Sequence, residues 1–298
     1  MRALTVLKPG LLTTVQDCGR IGLAYLGVPR SGAADLPALE RANRLVGNAP
    51  DAAGLESTLT GPVLRAESDL LVAVTGAPVP VRVGGSDVAF GTAVRVPAGA
   101  ELALGTARSG LRSYLAVAGG LAVPAVLGSR ATDTLSGLGP SPLRRGETVP
   151  VGDPPSTVPD PAASGRAATP QASGSDGGIV TLRVHPGPRV DWFTPEAVRT
   201  LLTADYQASP TSNRVGVRLT GPVLARTVEA ELPSEGVVLG AVQVPAGGEP
   251  LVFLADHPTT GGYPVIAVVD PADVPLAAQA RPGTPVRFRA SEGAPGWT

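Results

Sequence analysis

The chain has 298 residues, of which 43% are hydrophobic and 16% charged, a balance that indicates a globular protein rather than a disordered or fibrous one. Its formal net charge of -1 and its 3% of aromatic residues argue against nucleic acid as a partner. No apolar stretch is long enough for a membrane helix, and the lone Cys18 excludes an intrachain disulfide. The N-terminal apolar run stops at Lys8, before a secretory signal can form, so we expect a cytoplasmic protein.

Short apolar runs interrupted by Gly or Pro predict β-strands along most of the chain. The clearest runs are 70–75, 79–83, 94–97, 237–244 and 265–269. Two helices are predicted as well, one at 36–46 after Asp35 as N-cap and one at Pro195–Thr203 after Thr194 as N-cap. This pattern favours an antiparallel barrel or sandwich over a doubly wound nucleotide-binding fold.

Residues 151–178 are rich in Pro, Ala, Ser and Gly and have no periodic apolar pattern, which predicts a flexible linker. The halves on either side, 1–150 and 179–298, share five short motifs in the same order. These are a strand ending in Pro-Gly, an Asn-Arg motif, Leu-Thr-Gly-Pro-Val-Leu at 59–64 and 219–224, Val-Pro-Ala-Gly at 96–99 and 244–247, and an apolar strand after Tyr114 and Tyr263. The repetition predicts two related domains that arose by duplication.

Two polar stretches interrupted by glycine, 13–20 and 27–35, are the best candidates for a binding site in the first half. Their backbone can approach a ligand closely, and their side chains offer hydroxyl, amide, carboxylate and guanidinium groups. The candidate residues are Thr14, Gln16, Asp17, Arg20, Ser31 and Asp35. A structural interpretation is also open, in which Asp17 pairs with Arg20 and Asp35 only caps a helix.

The second half has its own candidates, which are Arg214, Ser234, Glu235, Gln243, Thr259, Thr260, Gly261, Gly262 and Tyr263. The paired glycines allow positive φ, which directs successive N–H groups toward an anion, but a tight hairpin turn explains them as well. Asp17 and Glu235 are the candidate catalytic acids or bases, although Glu235, like Glu56, also suits a buried hydrogen-bonding role. Arg20 and Arg214 are the candidate anchors for a carboxylate or phosphate. The chain predicts no metal site and no P-loop.

Together these motifs resemble the family of the 5-oxoprolinase C component, KipA and allophanate hydrolase subunit 2. The resemblance rests on Thr-Thr-Val-Gln-Asp-x-Gly-Arg, Gly-Val-Pro-x-Ser-Gly-Ala-x-Asp, Gly-Ser-Arg-Ala-Thr-Asp-Thr at 128–134, Ser-Glu-Gly at 234–236 and Thr-Thr-Gly-Gly-Tyr-Pro at 259–264. It covers nearly the whole chain outside the linker. Ala34 and Asn213 depart from the family pattern, in which Met and Asp are expected. The resemblance implies a mainly β fold with a few helices, arranged as two tandem cyclophilin-like β-barrel domains.

The resemblance also implies a function. The chain is expected to be part of an ATP-dependent 5-oxoprolinase complex that converts 5-oxo-L-proline to L-glutamate, together with a KipI-type B component and a LamB/YcsF-type A component. ATP belongs to this complex and is not assigned to one chain. One alternative is the carboxyltransferase component of a biotin-dependent urea or amide carboxylase, with biotin carried by another protein because no Met-Lys-Met motif is present. Another is a noncatalytic module that binds a KipI-type regulator.

Overall fold

The computed structural model describes residues 2–156, 175–176, 178–293 and 296–297, so most of the predicted linker lies outside the described residues. The strands are β1 (Ala3–Lys8), β2 (Leu12–Gln16), β3 (Gly54–Thr58), β4 (Val63–Ala66), β5 (Leu70–Gly76), β6 (Val81–Val83), β7 (Ser86–Val88), β8 (Ala93–Val96), β9 (Glu101–Leu104), β10 (Arg112–Val117), β11 (Thr148–Pro150), β12 (Ser175–Asp176), β13 (Ile179–Pro186), β14 (Asp205–Ala208), β15 (Gly216–Thr220), β16 (Glu235–Gly236), β17 (Ala241–Gln243), β18 (Leu251–Phe253), β19 (Thr260–Gly261), β20 (Val265–Val269) and β21 (Pro285–Ala290). The α-helices are α1 (Leu36–Leu45), α2 (Pro195–Thr203) and α3 (Val274–Ala278).

The predicted mainly β class with a few helices is confirmed. The chain forms two compact units, the first made of Met1–Ile21 and Ser31–Pro170 and the second of Gly22–Arg30 and Gln171–Thr298. None of the helices in the described part of the chain has the length and apolar character needed to cross a membrane.

The first unit contains two antiparallel sheets around a shared apolar core. Their strand orders are β11-β1-β4-β9-β6-β7 and β2-β3-β10-β5-β8. Leu64 and Leu102 of the first sheet and Leu115 of the second lie in the same buried cluster. Because side chains alternate along a strand, the opposite face of β10 presents Ala116, which packs with Ala42 of α1. The five-stranded sheet is therefore covered on both faces, by the core and by α1.

The second unit contains a closed seven-stranded barrel. Its strands follow the order β13-β20-β17-β18-β15-β14-β21, and β21 returns to pair in parallel with β13. Leu182, Val242 and Phe288 are fully buried, and the rings of Tyr206 and Phe288 pack edge to face with 5.9 Å between their centres. Ring closure leaves no unpaired sheet edge among these seven strands.

Both predicted helices are confirmed, and their boundaries have the expected causes. The Asp35 side chain accepts a hydrogen bond from the Ala38 N–H at the start of α1, and the Thr194 hydroxyl does the same for Ala197 in α2. The single strand predicted at 237–244 is wrong, because Gly240 adopts a φ of +81° and only Ala241–Gln243 is extended. Helix α3 was not predicted because five residues are too few to show a helical period.

Gly119 lies at a point of the first unit where no side chain fits. A Cβ atom built on it lies 2.3 Å from the Gly152 carbonyl oxygen and 2.5 Å from that of Asp153. Both Gly119 and Gly85 have positive φ, but a Cβ on Gly85 has no atom within 4 Å. We expect Gly85→Ala to lower the free energy of unfolding by about 1 kcal/mol and Gly119→Ala by roughly 3 kcal/mol or more, as measured by urea denaturation. Equal losses of unfolding free energy in the two variants would show that the structure relieves the crowding at Gly119 without cost.

Candidate functional site

Candidate residues of the first unit surround the segment 126–133, which contains all but the last residue of the motif at 128–134. Thr14 and Gln16 project from the same face of β2 because they are two residues apart. The Gln16 amide donates to the Thr14 hydroxyl and to the Thr132 carbonyl oxygen, both at 2.9 Å. The Ser31 hydroxyl donates to the same Thr132 oxygen at 3.0 Å. The structure thus brings Thr14, Gln16 and Ser31 together around Thr132.

Asp17 and Arg20 hold the same segment from its other end. The Asp17 carboxylate accepts hydrogen bonds from the Ser129 hydroxyl at 2.6 Å and from the Arg130 N–H at 2.6 Å. Arg20 donates through Nε to the Val126 carbonyl oxygen and through Nη2 to that of Ala131. Instead of pairing with each other, the two charged side chains both bind the 126–133 segment, Arg20 through backbone carbonyl oxygens and Asp17 through the Ser129 hydroxyl and the Arg130 N–H.

Four buried polar atoms in this cluster have no hydrogen-bond partner. They are Gln16 Oε1, Arg20 Nη1, Thr132 Oγ1 and Asp133 Oδ2. Each such atom that has no partner costs on the order of 1–3 kcal/mol of folding free energy. Four of them in one cluster therefore lower the stability of the fold in this region. The set contains an N–H donor, a hydroxyl and two acceptors. Because the atoms are shielded from solvent, a ligand reaches them only if the surrounding segments move.

Asp35 lies in a second buried network, centred on Tyr114. The Asp35 N–H donates to the Tyr114 hydroxyl at 2.7 Å, and that hydroxyl donates to Glu56 Oε2 at 2.9 Å. Glu56 also accepts from the Ala34 N–H at 2.9 Å and lies 3.5 Å from Nε of Arg112. Burial, and then the negative charges of Glu56 and Asp35, raise the pKa of Tyr114 well above its ordinary value. The tyrosine therefore stays protonated and fixes the start of α1.

Candidate residues of the second unit meet on a short two-stranded ladder. Glu235 of β16 lies opposite Gly261 of β19. The Gln243 amide donates to the Tyr263 carbonyl oxygen at 2.8 Å, and a Cβ on Gly261 would lie 2.7 Å from that amide nitrogen. The glycine thus allows close packing. Neither Gly261 nor Gly262 adopts a positive φ, so the anion-binding alternative finds no support in their backbone, and Gly261 is part of β19.

Glu235 is the half-buried carboxylate of this ladder. Its Oε2 accepts two hydrogen bonds from Arg189, at 3.0 Å from Nε and 2.6 Å from Nη2, whereas its buried Oε1 has no partner. The hydrogen bond to this carboxylate raises the pKa of Arg189, whose guanidinium also lies 5.9 Å from the centre of the Trp192 ring. One oxygen is thereby fixed and the other left for a further donor. Around it the hydroxyl-bearing Ser234, Thr260 and Tyr263 are exposed, and Thr259 is half-buried.

The Arg214 guanidinium is buried in the second unit. Its Nε and Nη2 atoms each lie 2.9 Å from an oxygen of Asp256, and both side chains are almost fully buried. Two N–H groups that could bind a substrate carboxylate side by side are therefore bound by a residue of the protein. Sequence reasoning did not identify Asp256, Arg189 or Tyr114 as partners, because each pair joins positions distant in the chain.

Comparison with known proteins identifies the family of this chain. Residues 26–290 match the family described as "Carboxyltransferase domain, subdomain A and B", and the chain belongs to that family. It is 38% identical over 290 residues to the C component of the Escherichia coli 5-oxoprolinase, covering 96% of this chain and 90% of that protein. The family resemblance inferred from the motifs is confirmed.

Two solved structures match nearly all of the chain. That of TTHA0988 has a TM-score of 0.85 and 39% identity and covers 97% of this chain and 56% of its own. The Kluyveromyces lactis urea carboxylase has a TM-score of 0.86 and 31% identity, with 96% of this chain and 27% of its own covered. The same two units therefore also occur as parts of longer chains.

Two buried tyrosines provide a matched test of the Tyr114 network. Tyr114→Phe removes a hydroxyl that serves Glu56 and Asp35, whereas Tyr206→Phe removes a buried hydroxyl that has no partner. We expect the first change to lower the free energy of unfolding by roughly 1–3 kcal/mol and the second to leave it unchanged or raise it. Thermal and urea unfolding of the two variants measure this difference. A Tyr114→Phe variant as stable as the unaltered chain would contradict the role assigned to the network.

Proposed function

We propose that the chain is the C component of a 5-oxoprolinase, a cyclic amide hydrolase that uses ATP to convert 5-oxo-L-proline to L-glutamate. The observation that carries the proposal is the match to nearly the full length of the Escherichia coli C component, 90% of it, against 27% of the urea carboxylase chain. The sequence similarity spans nearly all of that component, which supports the same role in an assembly. The cytoplasm, where ATP is available, is the proposed location.

Opening an unstrained lactam requires coupling to a favourable reaction. In the proposed route the amide oxygen takes the terminal phosphoryl group of ATP, which releases ADP and leaves an electron-poor carbon. Water then attacks that carbon and gives up a proton to a base; the C–N bond breaks, its electron pair and a proton go to nitrogen, and an acyl phosphate remains. A second water molecule hydrolyses the acyl phosphate, which releases phosphate and leaves the side-chain carboxylate of glutamate. The products are L-glutamate, ADP and phosphate. A carboxylate beside the reacting carbon provides the base that this route requires.

Glu235 is the best candidate for this base. Arg189 fixes one of its carboxylate oxygens, and the other is buried and has no partner, so that a water molecule or a substrate N–H group can bind there when the surrounding segments move. Asp17, by contrast, accepts hydrogen bonds at both oxygens, from Ser129 and Arg130 among others. We therefore assign Asp17 to positioning the 126–133 segment rather than to proton transfer.

The unsatisfied atoms of the first unit are a separate candidate set, which suits an amide. A lactam presents an N–H donor and a carbonyl acceptor on one edge, and Gln16 Oε1 and Arg20 Nη1 offer the complementary acceptor and donor. Thr132 Oγ1 and Asp133 Oδ2 add a hydroxyl and a second acceptor. A ligand can reach these atoms only if the segment around 126–133 moves. The partner proteins are proposed to cause this movement.

The proposal includes two partners and a nucleotide. A KipI-type B component and a LamB/YcsF-type A component complete the enzyme, and ATP binds to the complex. A second candidate function is carboxyl transfer to urea or another small amide, favoured by the TM-score of 0.86 to the Kluyveromyces lactis urea carboxylase. Biotin would then be supplied by another protein. A noncatalytic KipI-binding module is the remaining alternative.

Reconstitution of the three-component enzyme tests the proposal. The chain mixed with its KipI-type and LamB/YcsF-type partners should release glutamate and ADP from 5-oxoproline, and Glu235→Gln should lower kcat by about 100-fold or more because a base is lost. Glu196→Gln, at an exposed position on α2, is the matched control and should be fully active. Turnover without this chain would refute the proposal.

Two further measurements test the alternatives. A parallel assay with urea, a biotin carrier and ATP tests carboxyl transfer. Binding of the KipI-type partner without any turnover would favour the regulatory module.

Thr132→Val separates a substrate-binding role from a structural one. Since the buried Thr132 hydroxyl has no partner, replacing it with a methyl group should keep or raise the free energy of unfolding. If the hydroxyl binds the substrate, KM for 5-oxoproline should rise about tenfold in the reconstituted enzyme. Thr75→Val is the control, because its buried hydroxyl donates to the Ala38 carbonyl oxygen at 2.6 Å and supports the fold. That variant should lose stability and keep its KM, and an unchanged KM for Thr132→Val would contradict the assignment.

A further inference from the structure

A cavity of about 350 Å³ lies in the first unit, away from the polar cluster around Thr132. Its wall includes the apolar Leu70, Leu71 and Val96, together with three charged residues. The volume lies in the range of small-molecule sites, and a small number of polar groups on an apolar surface is their usual composition.

Arg2 is held in place at one side of this cavity. Its Nε donates to the Gly152 carbonyl oxygen at 3.0 Å and its Nη2 to the Ala118 carbonyl oxygen at 2.8 Å. These two bonds fix the plane of the guanidinium and leave Nη1 for another acceptor. A donor that is already ordered loses little conformational freedom when a ligand binds to it.

Arg95 and Asp69 complete the charged part of the wall. Arg95 lies on β8, opposite Leu71 of β5, and is exposed and outside any ion pair in the described chain. The exposed Asp69 accepts a hydrogen bond at Oδ1 from the Ala98 N–H at 2.8 Å, which fixes the carboxylate and leaves Oδ2 for a ligand. The cavity therefore presents two positive groups and one negative group around an apolar floor.

We propose that this cavity binds an acidic α-amino acid. Such a ligand carries two carboxylates and one ammonium group, the charges complementary to those of Arg2, Arg95 and Asp69. Its methylene groups would lie on Leu71 and Pro97. The proposal rests on the cavity alone and does not require the chain to belong to an oxoprolinase, so its binding test is independent of turnover.

Calorimetric titration of the full chain tests this site with L-glutamate, glutarate and L-glutamine. L-Glutamate should bind, and glutarate, which lacks the ammonium group, and L-glutamine, which lacks the second carboxylate, should each bind about tenfold more weakly. Arg95→Gln should weaken L-glutamate binding about tenfold. Asp69→Asn should also weaken L-glutamate binding but strengthen that of glutarate, because it removes the repulsion of a carboxylate.

Two controls make the result decisive. Arg145→Gln changes an exposed arginine outside the cavity wall and should leave binding unchanged. Urea unfolding of each variant shows whether it is folded. Absence of saturable L-glutamate binding up to about 10 mM, or equal affinities of the Arg95→Gln and unaltered chains, would overturn the proposal. Equal binding of glutarate and L-glutamate would refute the role of Asp69.

Discussion

Burial of the central strand β10 on both faces is the constraint on which the first unit depends. All six of its residues are buried, including Arg112, Ser113 and Tyr114. A buried polar group without a partner costs free energy, so each of these side chains needs an acceptor or donor inside the protein. Glu56 on the adjacent β3 is the partner of two of these side chains. It accepts a hydrogen bond from Tyr114 and lies beside Arg112. The same carboxylate binds the backbone before α1, and through this contact the core determines where the helix begins.

This arrangement links the apolar core to the candidate site. The Ala33 N–H donates to the Asp17 carbonyl oxygen at 2.9 Å, and Asp17 in turn holds Ser129 and Arg130. The three residues before α1 are thus fixed through successive N–H groups, by the Asp17 carbonyl oxygen, Glu56 and Tyr114. Ser31 lies just before them with a φ of +53°, a conformation that a non-glycine residue adopts at a cost. The hydrogen bond from its hydroxyl to the Thr132 carbonyl oxygen stabilises that conformation.

Local signals in the sequence predicted the elements whose causes are local. Asp35 and Thr194 cap helices because a side-chain oxygen next to a helical segment is sufficient for that role. The repeated motifs are less reliable where context matters: Asn43 lies inside α1, whereas Asn213 accepts the Val215 N–H in a turn outside any helix. Identical residue types adopt different structures when the contacts around them differ, and those contacts are not readable from a short motif.

The candidate site could be predicted from the sequence even less completely than the fold. Residue type alone identified Arg20, Arg214 and Glu235 as chemically capable groups. The residues that form hydrogen bonds with them, however, lie far from them in the sequence. Arg214 is fully engaged by Asp256, Arg20 keeps a single unpaired N–H-bearing nitrogen, and Glu235 keeps one unpaired oxygen. A scaffold shared by relatives with different names does not identify the substrate, because chemistry depends on the particular groups that a fold presents. The atoms that the fold leaves unsatisfied are therefore more informative about the ligand than the full set of polar residues, since each requires a partner of the opposite hydrogen-bonding character.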